Sequence, residues 1–157
     1  MKCRMLAIDS STKKTAYAVF DNGEYKESKL IDLEKDKNMD SRFEAMSLSL
    51  INALNEYKRI IVYIEEAVVV RNAQTQRFLT RLQGVIYGYC ILNQCEFNAI
   101  RPTEWRKLVS IDQGKKKREE LKQESIKKVE EEFGLTVNDD EAEAILIGIA
   151  AIKKFNP

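Results

Sequence analysis

The dipeptide Asn22-Gly23 constrains this chain more than any other feature. It follows an aspartate and lies between two runs dense in aromatic and β-branched residues, 15–20 and 25–31. The tightest hairpin turn needs positive φ at both central positions, which Asn and Gly tolerate, so these runs are expected to pair antiparallel. An apolar segment, 1–8, precedes them and stops at Asp9. Three antiparallel strands therefore open the fold. Beyond a polar loop at 34–40, Asp40 or Ser41 can cap a helix with Phe43, Met46, Leu50, Leu54 and Tyr57 on one face. Residues 59–64 read as a buried strand ending on Glu65 and Glu66, 73–93 as a second helix and 95–100 as a fifth strand. Pro102 opens a short helix through Trp105 and Leu108, and Gly114 precedes a long polar helix closed by Gly134. Asn138 or Asp139 can cap a last helix that is apolar nearly all round from Ala142 to Ile152 and so must be buried. Antiparallel strands followed by strand–helix alternation predict an α/β fold with a mixed sheet covered on both faces.

Composition bounds the chemistry. The 157 residues suit one domain, 1–157, and no repeat or linker interrupts them. Histidine is absent, which removes histidine bases, Ser-His triads and His-ligated zinc together. The three cysteines, Cys3, Cys90 and Cys95, form no C-x-x-C pair, which argues against a disulfide framework or a structural zinc and for a reducing, cytoplasmic setting. No apolar run is long enough to span a bilayer, and no signal peptide is read at the start. Net charge is +1, so charge as a whole names no partner; Lys115, Lys116, Lys117, Arg118 and Lys122 form a local basic cluster that also reads as a solvated helix start.

Hydrolytic chemistry in such a chain must rest on carboxylates. Asp9 closes the first strand, Glu65 the central one, and Asp140 and Glu143 share a face of the last helix. Acids meeting at buried element ends repel one another unless a divalent cation joins them, and an all-oxygen set selects Mg²⁺, with Mn²⁺ as a substitute. Two such ions can activate a water and stabilise the leaving oxygen of a phosphodiester. Each acid also has a plainer reading. Asp9 can be a polar strand exit, Glu65 or Glu66 a solvated strand end, and the acids 139–143 a complement to the helix dipole.

With these residues in place, the chain resembles the RuvC family of Holliday-junction resolvases, in its phage-type form, within the RNase H-like superfamily. Ala7-Ile8-Asp9-Ser10-Ser11 with Thr15-Ala16-Tyr17-Ala18-Val19 resembles the family's first hairpin, and Tyr63-Ile64-Glu65 the strand bearing its second acid. Asp140-Glu141-Ala142-Glu143-Ala144-Ile145 resembles its closing D-x-x-D-A helix, and Arg101-Pro102-Thr103-Glu104-Trp105-Arg106-Lys107 a segment of phage-type members. The resemblance implies an RNase H-like five-stranded sheet and a crossover junction endodeoxyribonuclease. It implies metal ligands at Asp9, Glu65, Asp140 and Glu143, with Lys122 and Arg106 as basic residues near the site. Ser10-Ser11 stands where Pro-Gly is frequent, and Glu143 where Asp is usual; Asp139 competes with Asp140, and Glu66 with Glu65. The resemblance further implies a homodimer that nicks opposing strands of a four-way DNA junction, with forks and flaps as further branched substrates. Arg71, Arg77, Arg81, Arg106, Lys115, Lys116, Lys117, Arg118 and Lys122 would then meet phosphates, and Gly84 and Gly88 would let two helices approach. An acid-rich metal site predicts activity that rises with pH across roughly pH 6 to 9.

Three rivals remain at this level. An actin-like ATPase needs a second related domain and hairpin, and the six glycines give no G-x-x-x-x-G-K loop either. An RNase H-type enzyme on RNA–DNA hybrids would share the acids. A non-catalytic branched-DNA binder would be betrayed by a missing acid, and all four positions are filled.

Overall fold

The structure, a computed structural model, describes residues 3–57 and 59–155. β1 (Arg4–Asp9), β2 (Lys14–Asp21) and β3 (Glu24–Asp32) form an antiparallel meander. The turn between β2 and β3 has Asn22 at φ 51° and Gly23 at φ 82°, the doubly left-handed geometry that the dipeptide favours. α1 (Met39–Glu56) leads to β4 (Ile60–Glu65), α2 (Ala73–Asn93) and β5 (Glu96–Ile100); α3 (Pro102–Leu108), α4 (Arg118–Phe133) and α5 (Asp139–Phe155) follow. The strands lie in the order β3-β2-β1-β4-β5, with β1, β4 and β5 parallel. This is the expected α/β mixed five-stranded sheet.

Boundaries differ from expectation in local ways. Met1 and Lys2, the start of the first apolar segment, lie outside the described residues. The fourth strand begins at Ile60, because Arg59 sits at φ 55° and cannot pair in a ladder. α1 is capped by Asn38 rather than by Asp40 or Ser41. The Asn38 side chain accepts from the Ser41 backbone N–H, so Asp40 and Ser41 fall inside the first turn.

β1 is buried on both faces, which is why its sequence runs apolar without alternation. Leu6 and Ile8 join Val19, Val62 and Ile64 under α1 and α2, through Met46, Leu50, Leu82 and Ile86. Ala7, Ala16 and Ala18 face the other way, and their small side chains let α5 lie close on the sheet. α5 carries no side chain at Gly148, where a Cβ would stand 2.1 Å from the Phe20 ring. Trp105 of α3 and Leu121 and Val129 of α4 complete this second core. Among the described residues no helix is long and apolar enough to cross a membrane.

Candidate active site

Because β1 and β4 run parallel with Ile8 opposite Ile64, their last residues, Asp9 and Glu65, stand side by side at one sheet edge. α5 starts over the same edge. Its first turn is set by Asn138, whose Oδ1 accepts from the Glu141 backbone N–H at 2.8 Å. That start leaves Asp140 and Glu143 pointing into the space above the strand ends. The four acids line one cavity of about 660 Å³. The Ser10-Ser11-Thr12 turn, Arg106 and Arg118 also contribute to its wall.

Asp9 and Glu143 are buried, each 6% exposed. Burial first, then repulsion from Glu65, Glu143 and Asp140, lifts the Asp9 carboxyl well above the ordinary carboxylate range. Glu65 is raised by burial and by Glu143, against the Trp105 hydrogen bond and the charges of Arg106 and Arg118. Asp140 is raised by burial, by Asp139 and by Glu143. Asp9, Glu65 and Asp140 therefore give up their protons less readily than they would in water.

The two open choices among the acids look different in space. Asp139 bonds the Lys122 ammonium; burial opposes ionisation, but that hydrogen bond and charge hold its carboxyl below the usual range. Asp140 lines the cavity and Asp139 does not. Glu66 reaches the cavity rim but pairs with Arg101 at 3.1 Å, whereas Glu65 faces Trp105 and Glu143.

The basic residues do not gather at one place. Arg106 lies within the cavity, 3.3 Å from Glu143 Oε1. Arg118, the first residue of α4, lines the cavity, and Lys122 one turn later is spent on Asp139. Arg77 and Arg81 border a separate depression floored by Met39, Phe43 and Phe78. Arg71 is exposed in the β4–α2 connection, Lys116 pairs with Glu124, and Lys115 and Lys117 are exposed beside it.

One contact was not foreseen. The Trp105 indole donates to Glu65 Oε2 at 2.6 Å, and the Arg106 guanidinium lies over the same ring, 4.7 Å from its centroid. A tryptophan in a short amphipathic helix reads as core, and nothing in the sequence pairs it with an acid forty residues away.

The donor set is all oxygen, buried at Asp9 and Glu143 and half-buried at Glu65 and Asp140, and mutually repelling, which fits a hard divalent cation. Among the described residues no three acid or thiol side chains already stand close enough to hold an ion as they are. Side-chain rotations would have to close the ligand set.

No family model matches the sequence, and no curated protein matches it. Two solved structures are similar over 98% of this chain and 95% of their own: Thermus thermophilus RuvC in complex with a Holliday junction substrate, and Thermus thermophilus RuvC. TM-scores are 0.74 and 0.73, at 12% and 13% identity respectively. The fold is thus the RNase H-like fold in its RuvC arrangement.

Proposed function

We propose that this chain, built on the RuvC fold, is a metal-dependent endonuclease that nicks branched DNA and resolves four-way junctions as a homodimer. The observation that carries the reading is the convergence of Asp9, Glu65, Asp140 and Glu143, from three separate elements, on one cavity walled by arginines. A pocket that forces carboxylates together is unfavourable unless something positive occupies it.

Asp9, Glu65, Asp140 and Glu143 would hold Mg²⁺, or Mn²⁺ in its place, after modest side-chain rotation. A divalent cation bound there supplies an activated water and charge stabilisation for the leaving 3′ oxygen. Arg106 and Arg118 at the wall offer positive charge to the phosphate entering the cavity. Lys122 keeps Asp139 turned away from it. Arg71, Arg77, Arg81 and the 115–118 segment extend sequence-blind phosphate contact outward from the site.

The homodimer is supported by the outer face of α2. Open space lies beside Gly84 and Gly88, and Tyr87, Ile91 and Leu92 are 52%, 66% and 83% exposed. A second copy packed there would cover this apolar strip and place two sites on one junction.

The test is cleavage of a labelled four-way junction, a linear duplex and an RNA–DNA hybrid, with Mg²⁺ or EDTA, beside Asp9→Asn. The expected result is metal-dependent nicking of the junction alone, lost in the variant by at least about 10³-fold. Junction binding without cleavage would make the protein a structure-specific binder, and cleavage confined to the hybrid would make it an RNase H.

A further inference from the structure

We propose that Trp105 is a positioning residue for the cation site: its indole N–H fixes one oxygen of Glu65 so that the other is presented to the ion. The inference rests on the metal-site reading above.

Trp105 is the chain's only tryptophan and is fully buried. An indole can only donate, and a buried donor needs an acceptor. Most side-chain donors find backbone or water. Here the acceptor is a cavity carboxyl, Glu65 Oε2, at 2.6 Å. A glutamate has three side-chain torsions, and a Glu at a strand end without partners samples several of them. The indole removes that freedom. A carboxylate has about four acceptor positions on two oxygens. The indole occupies one of them and leaves Oε1 for an ion.

The indole is the fixed member of this pair. α3 is held at its start by Pro102 and at its far side by Lys154 of α5, which pairs with Glu104 at 2.7 Å. Arg106, the next residue, lies over the Trp105 ring and bonds Glu143 Oε1 at 3.3 Å. One seven-residue helix thus holds an acid from β4 and an acid from α5 on the same cavity. A tryptophan that served only to fill the core would need an acceptor, but not a carboxyl of the cavity. Partners of this outer kind typically change metal affinity about 10- to 100-fold when removed.

Because no second tryptophan is present, tryptophan emission reports on this one indole and the groups that touch it, Glu65 and Arg106. The experiment titrates the native chain, Glu65→Gln and Trp105→Phe with Mg²⁺, by calorimetry for all three and by tryptophan emission for the first two. Native emission should change and saturate together with the heat of binding, and Glu65→Gln should lose the emission response. Trp105→Phe keeps an aromatic ring and loses the N–H; its Mg²⁺ affinity should fall about 10-fold or more, with junction KM unchanged and kcat lowered. If Trp105→Phe does not fold, the native emission titration decides: a change that saturates with the heat of binding is expected, and indifference to Mg²⁺ overturns the proposal. Native affinity in Trp105→Phe, or native emission indifferent to Mg²⁺, overturns the proposal. Mg²⁺ binding with the emission response but no cleavage of any DNA would sink the nuclease reading and leave the role of Trp105 standing.

Discussion

Asp9 is the carboxyl that the other three cavity acids crowd together. It sits between Glu65, Glu143 and Asp140 in a buried corner, and its carboxyl is raised by burial and by all three. A carboxyl whose folded pKa lies above the unfolded value, about 4, contributes stability at low pH and loses it as pH rises through the folded pKa. In EDTA, Asp9→Asn should therefore be more stable than the native chain at pH 8, and the gap should close toward pH 4. Saturating Mg²⁺ should reverse the order at pH 8, since only the native chain gains the ion's binding energy. Thermal melts across that pH range check both halves, and a pH-independent gap would deny Asp9 its buried charge. At this scale the sequence is a partial guide. The acids could be named, because an acid directly after Leu6-Ala7-Ile8 is unusual. The choice of Asp140 over Asp139 for the cavity could not be read, because it turns on where Lys122 lies one helix away. The Trp105–Glu65 bond is likewise a product of tertiary docking.

Elements were more legible where capping is unambiguous. α2 spans Ala73–Asn93 as its periodicity predicts, started by Asn72, whose side chain accepts from Gln74 and Thr75. The start of α1 is not legible because Asn38, Asp40 and Ser41 can all cap, and only the folded backbone shows which side-chain oxygen is aimed at the free N–H groups. α5 shows the reverse case. Its apolar circumference foretold burial, but not that Gly148 is the seat of Phe20. The Phe20 ring is 1% exposed and also meets Tyr25 edge-on, so it has nowhere to retreat. Gly148→Ala should destabilise by about 1–3 kcal/mol through overpacking, and adding Phe20→Leu should recover part of that loss. Urea midpoints at a constant m-value measure both changes.

For the molecule as a whole, a net charge of +1 hides an uneven surface. Arg77 and Arg81 of α2 border a depression separate from the acidic cavity, and on the proposed reading they would meet backbone phosphates other than the reacting one. Replacing Arg77 and Arg81 together by Gln should weaken junction and duplex binding alike and lower the slope of log K against log salt by about 2. A loss confined to the junction would instead mark these residues as readers of branch geometry; gel-shift titrations over a salt series separate the two.

The acids of the cavity come from near the beginning, the middle and near the end of the chain. The strands carry only Asp9 and Glu65 of the four, and Asp140 and Glu143 arrive on α5, well after the last strand. On the proposed reading, cutting needs α5 docked on the sheet, so a copy truncated before Asp139 would keep Asp9 and Glu65 and not cleave.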